Sequence, residues 1–165
     1  MRPSLIAVCT AIATAGVAAA QPSVRVEPSA VQGLRALEEQ TAKAAIRDYL
    51  ESWQSLSEAL AQNRAALLDT DFVGDAREKL GATVREQRGL GIHTRYRDRA
   101  HDLQIVCYSP EGLSIELKDT AEYDVQLFDH GKPAATRRVR AHYIAVLTPS
   151  EVRWRVRVFQ AVPAD

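Results

Sequence analysis

At Gly91 the spacing of apolar residues changes from the 3.6-residue period of a helix to the two-residue period of a strand, which divides the chain into a helical part and a stranded part. From about Ser29 to Asn63, Leu34, Leu37, Ala45, Ile46, Tyr49, Leu50, Trp53, Leu56 and Leu60 fall on one stripe. The stripe predicts a long amphipathic helix, or two, with Ser55 and Glu58 as a capping box that would restart the helix after Trp53. "LLDTDFVGD" reads as a turn. Asp75 with Glu78 then opens another helix whose inner positions are Ala76, Leu80 and Val84, and Gly89 and Gly91 end it.

Beyond Gly91 strands are expected near 92 to 98 and 102 to 108, followed by a "SPEG" turn at 109 to 112. Leu113, Ile115, Leu117, Ala121, Tyr123, Val125 and Leu127 form the apolar phase of a long strand, "DHGKP" at 129 to 133 turns it, and Val139 to Leu147 returns. "TPSE" turns the chain again before a last strand, Val152 to Phe159. Helices first and hairpin-linked strands afterwards predict an α+β fold, with N-terminal helices packed on one face of a curved antiparallel sheet.

The last strand sets a puzzle. In "SEVRWRVRVFQ", Val152, Trp154, Val156 and Val158 alternate with Arg153, Arg155 and Arg157. A five-residue loop after Phe128 would set Phe128 opposite Ala134, Asp124 opposite Arg138 and Glu122 opposite Arg140, a ladder of opposite charges. A three-residue loop at 149 to 151 would set Trp154 opposite Val146, Val156 opposite Ile144 and Val158 opposite His142. The three arginines are then expected to answer carboxylates of neighbouring strands, although the face they occupy is left open. Trp154 is expected to be the costliest side chain to truncate.

Residues 1–20 carry one arginine, an apolar run from Ser4 to Val17, and Ala18-Ala19-Ala20. This is the pattern of a cleaved secretory signal, and it predicts a periplasmic or extracellular protein. Residues 21–33 read as a linker and 34–165 as a single α+β domain. Cleavage would leave Cys107 as the one thiol, in phase with Leu103 and Ile105, which predicts a buried core cysteine with no disulfide framework.

The chain holds 21 basic and 21 acidic residues, so it has no global field to attract nucleic acid, and after signal removal nothing suggests a membrane partner. Locally the balance fails. Acids dominate 111 to 130, and arginines dominate from 131 onward. No HExxH, paired cysteines, phosphate loop or GxSxG occurs, so no cofactor and no metal are expected. His93, His101, His130 and His142 are scattered, and His130 reads as a solvated turn residue. Tyr49 and Trp53, one helical turn apart, read as core.

"VREQRGLG", "YRDRAHDLQIV", "LKDTAEYDVQLFDHGK" and "RRVRAHYIAVLTPSEVRWRVR", in this order, resemble the nuclear transport factor 2-like (SnoaL-like) superfamily. They are similar also to the intermembrane-space domain of plastid-division and cyanobacterial cell-division proteins, where "YIAVL" and "RWRV" would hold the places of the last two strands. The resemblance covers about Ala44 to Val162. It implies a cone, a curved sheet wrapped around helices, whose members include isomerases, dehydratases, hydrolases and many non-catalytic proteins. An acid–base site in such a cone would draw on Asp119, Tyr123, His142 and Tyr143. The leading expectation is a non-catalytic binding or assembly domain, as a homodimer through its sheet or with a protein partner. The alternative is a small cavity enzyme, an isomerase, dehydratase or hydrolase, acting on an apolar metabolite.

Overall fold

In a computed structural model, which describes residues 21–31 and 35–163, the apolar stripe folds as one helix, α1 (Glu39–Gln62). The proposed signal segment and the Leu34 end of the stripe lie outside the described residues. α1 runs through Ser55 without a break: the Ser55 hydroxyl bonds the Asp71 carboxylate instead of capping a new turn. Tyr49, Trp53, Leu56 and Leu60 are buried along its inner face. The helix ends at Asn63, whose φ of 53° is the left-handed conformation that asparagine tolerates, and the Asn63 side-chain amide donates to the Ile92 carbonyl at 2.8 Å. A short 3-10 turn (Ala65–Leu68) leads to α2 (Gly74–Gly89). Buried Gln87 of α2 donates to the Leu60 backbone carbonyl and to the Asn63 side-chain carbonyl, each at 2.6 Å, and locks the two helices together.

The sheet has the order β1 (Ser23–Val26), β2 (Ile92–Tyr108), β3 (Ile115–Asp129), β4 (Lys132–Pro149), β5 (Trp154–Val162). All neighbours are antiparallel except β1, which lies parallel to β2. The segment expected to be a linker therefore supplies an edge strand, held through backbone pairing from Ser23 to Val26 and the Arg25–Asp102 ion pair. Helices cover one face of the sheet, and the other face is open.

Bulges account for most departures from the expected pattern. The two strands expected at 92 to 98 and 102 to 108 are one, with Arg99 unpaired between Asp98 and Ala100. A second shift between Ile105 and Cys107 reverses the phase, so Cys107 is exposed and Tyr108 takes the inner position. The β3–β4 turn has two residues, His130 and Gly131, with φ of 46° and 79°, where a left-handed pair matches strand twist. Phe128 consequently faces Pro133, and a further shift beside Leu127 restores the register that sets Asp124 opposite Arg138 and Glu122 opposite Arg140.

The last hairpin departs furthest from expectation. Trp154 pairs with Pro149, Val156 with Leu147 and Val158 with Val146, while Val152 sits in the turn and is 84% exposed. Its arginines do not answer strand carboxylates. Arg153 grips buried Asp71 and reaches Glu51 at 3.4 Å, Arg155 donates to the carbonyls of Asp69 and Phe72, and the Arg157 stem lies beside Gly74. They clamp the connection between the helices to the edge of the sheet. Backbone bonds across Val73–Val156 and Val156–Asp71, at 2.9 and 2.8 Å, complete the clamp.

Trp154 is half-buried, whereas Trp53 is 1% exposed and lies among His101, Tyr123, Tyr143 and Phe159. Trp53→Ala is accordingly expected to lower unfolding free energy by about 3–5 kcal/mol, and Trp154→Ala by clearly less, in urea titrations. Equal losses would show that Trp53 is not the centre of the core.

Candidate functional site

Polar side chains meet in the interior where α1 crosses β2 and β3. Asp119 of β3 is buried, and its Oδ2 accepts a hydrogen bond from the Tyr49 hydroxyl at 2.9 Å and stands 2.8 Å from His101 Nδ1. His101 Nε2 lies 4.0 Å from Asp98 Oδ2. Asp98 and His101, three residues apart, would lie on opposite faces of a regular strand. The bulge at Arg99 turns both inward, since Asp98 pairs with Tyr123 and His101 with Ala121, and those two share the inner face of β3.

Of the side chains singled out in the sequence, Asp119, Tyr123 and Tyr143 share this interior. Asp119 and Tyr143 are opposite each other on β3 and β4, and the Tyr123 and Tyr143 hydroxyls are 2.6 Å apart. His142 is not with them. It projects from the open face of the sheet, where its Nδ1 lies 2.9 Å from Thr120 Oγ1. His101 occupies the place expected of a histidine partner. Its phase with Leu103 and Ile105 was a signal for the inner face; what spacing hid is that the bulge brings Asp98 to the same side. The ladder residues are on the open face as well: Arg140 is 3.6 Å from Glu122, and Asp124 lies between Arg99 and Arg138.

The charges of the interior act on one another. Burial opposes a charge on His101, but the hydrogen bonds and negative charge of Asp119 and Asp98 outweigh it and lift the imidazole pKa to about 9. Burial, then the Asp119 charge, pushes the Tyr49 hydroxyl well above its ordinary range. Tyr96 is pushed up to about 12, chiefly by burial and also by the nearby Asp98, and burial with the Tyr123 hydrogen bond raises Tyr143 too. The shifts favour a charged His101 beside Asp119 and Asp98, and the protonated hydroxyls of Tyr49, Tyr96 and Tyr143 around it. A protonated His101 can hold charge and donate hydrogen bonds, but it cannot accept a proton. Among the described residues no group of three His, Cys, Asp or Glu side chains is arranged to hold a metal ion.

Little space reaches this cluster. A cavity of about 230 Å³ at the mouth of the cone is bounded by Leu56, Leu80, Tyr96, Tyr143 and Phe159, and one of about 270 Å³ between β1 and α1 touches His101 and Asp98. Both fall below the ~300 Å³ at which small-molecule pockets usually begin. Larger concavities lie outside: a trough of about 470 Å³ across the open face, and an apolar groove of about 620 Å³ along α1 floored by Ala42, Ile46 and Leu50.

No family model matches the sequence, and no curated protein matches it. Shape is more informative. The intermembrane-space region of the chloroplast protein ARC6 superposes with a TM-score of 0.65 at 16% identity, over 79% of this chain and 100% of that one. A putative scytalone dehydratase from Novosphingobium aromaticivorans gives 0.52 at 11% identity, over 76% of this chain and 89% of its own. The fold is the nuclear transport factor 2-like cone. Aln2 from a Streptomyces species has the same cone, with a TM-score of 0.51 at 13% identity over 78% of this chain and 94% of that one. In the present cone, two helices fill the concave side of a five-stranded sheet.

The buried imidazolium makes the cone sensitive to pH. The pKa of His101 is higher folded than unfolded, about 9 against about 6.5, so the folded state binds more protons between those values. Its contribution is complete below about pH 6.5 and is lost as pH rises through about 9. Denaturation midpoints are expected to fall over that window in the wild type and to change less in His101→Gln; a wild-type midpoint that stays flat from about pH 6.5 to about 9.5 would refute the charged pair.

Proposed function

We propose that the protein is an exported, non-catalytic binding and assembly domain that meets its partner through its outer surfaces. One observation carries this reading: the interior of the cone is filled. Trp53, Tyr49, Leu103 and Leu117 occupy the space where a substrate would sit, and His101 and Asp119 are each 1% exposed and direct their hydrogen bonds to each other and to Tyr49. Export is proposed on the apolar run and small residues of 1–20. No described helix is long and apolar enough to cross a membrane.

A cavity enzyme acting on an apolar metabolite is the second reading. The carboxylate-oriented imidazole beside the 270 Å³ cavity favours it, since such a pair is how proteins aim a general base. Against it stands the protonation of that imidazole at neutral pH, with Asp98 facing its far nitrogen. Pairing of two copies through the open face meets a different obstacle. A two-fold contact centred on the arginines of that face would bring like charges of the two copies together near the axis.

Two measurements test the reading. Thermal-shift titration with a panel of small apolar ketones, alcohols and aromatic acids is expected to give no saturable stabilisation that depends on His101; one that disappears in His101→Gln would establish the cavity enzyme instead. Sedimentation at micromolar concentration is expected to give a monomer, and a stable dimer would show that a second copy of the chain is a partner.

A further inference from the structure

The upper part of the open face, beyond the reach of the helices, is built from β2, β3 and β4 alone. Register places Arg95, Arg97, Arg138 and Arg140 on that face, and bulged Arg99 joins them by bonding Asp124. Glu122 and Asp124 are the carboxylates among them. Asp124 is shared by Arg99 and Arg138, whose positive charges hold its carboxyl below the usual range, the Arg99 hydrogen bond leading. Glu122 is taken by Arg140. Arg97 has no carboxylate within ion-pair distance among the described residues, and Arg95 lies over the Phe128 ring at 4.7 Å. The ladder thus fixes the arginines in place but leaves their charge in excess. Arg140 also borders the trough of about 470 Å³, whose charges are mixed, with Arg25, Lys118 and His142 beside Glu27 and Asp102.

We propose that this face docks an acidic segment of a second protein, its carboxylates seated on Arg97, Arg95 and Arg138 and its chain continuing past Arg140 into the trough. The proposal rests on the binding-domain reading and gives it a surface and a partner chemistry. Guanidinium groups held in a row are suited to carboxylates, which they bind bidentately. A nucleic acid fits less well. The Phe128 ring is already covered by Arg95 and by His93, stacked at 4.6 Å, so no aromatic platform is free for bases, and the chain as a whole has no basic excess. Glu122 and Asp124 between the arginines would also repel a continuous phosphate backbone, whereas separate carboxylates can settle around them. A membrane surface is disfavoured because the large exposed apolar residues, Leu90, Leu113 and Val152 among them, do not lie between these arginines.

The test uses the full described chain and a fluorescein-labelled peptide with glutamate at alternate positions, followed by fluorescence anisotropy. Binding is expected to weaken at least tenfold between 50 and 300 mM salt, and at least tenfold in Arg97→Glu and in Arg97→Glu/Arg138→Glu. Lys79→Glu, the same charge change on exposed α2, should bind like the wild type. Arg97→Glu alone serves if the double variant is unstable, and thermal midpoints establish which variants are folded. No binding, or equal binding by Lys79→Glu and Arg97→Glu, would overturn the proposal. So would tighter binding of a deoxythymidine oligonucleotide or of phosphatidylglycerol vesicles, either of which would assign the face to that partner. Failure of the peptide leaves the filled interior untouched, while a His101-dependent small-molecule response would strike the binding-domain reading without altering the peptide result.

Discussion

Trp53 stands where α1 meets the inner face of the sheet, with the rings of His101, Tyr123, Tyr143 and Phe159 between 5.2 and 5.5 Å from its own. The strands curve about this cluster, and the indole fills what would otherwise be a hollow. Much of the rest follows from that occupancy. A filled cone cannot admit enough water to solvate polar groups on its lining, so those groups must satisfy one another. Tyr49, Asp119 and His101 do so in one chain of hydrogen bonds, and Tyr123 does so with Tyr143. Some capacity is unused: Asp119 Oδ1, Asp98 Oδ1 and Trp53 Nε1 have no partner among the described residues.

The same occupancy is what the proposed surface-binding role rests on. Cones related in shape include one described as a putative dehydratase and another from a chloroplast intermembrane-space protein, so the architecture alone does not choose between chemistry and contact. Here the choice rests on what the interior contains. The two faces of the sheet have divided their charges accordingly. Inside, His101 is held between buried Asp119 and half-buried Asp98; outside, arginines outnumber the acids that position them.

Much of this was legible in the sequence, because period and turn chemistry act locally. The stripe through Tyr49 and Trp53 and the helix inner positions at Ala76 and Val84 follow from alternation, whereas the Glu122–Arg140 and Asp124–Arg138 register, expected from a five-residue loop, is reached through a two-residue turn and a compensating bulge. What was not legible depends on single unpaired residues and on contacts distant in the chain. Shifts beside Arg99 and Cys107 reverse strand phase, and nothing in "RYRDRAHDLQIVCY" marks where they fall. The last hairpin slipped from its expected register because Val73 and Asp71 of the helical connection bond to Val156 and fix it from outside the sheet. For the same reason Arg153 and Arg155 found Asp71 and backbone carbonyls, which no strand-to-strand argument could supply.

The unpaired Arg99 gives the molecule two faces by means of one residue. Drawn into the ladder as an ordinary paired residue, it would put Asp98 and His101 on opposite sides, and every side chain from Ile92 to Asp98 would exchange faces: Tyr96 and Asp98 would swing out into solvent, and His93, Arg95 and Arg97 would turn toward the concave side. The interior ion pair and the exterior basic surface would vanish in one step. Pairing register at this point is therefore more tightly constrained than residue identity, because a slip that absorbs the extra residue undoes both faces of the strand together.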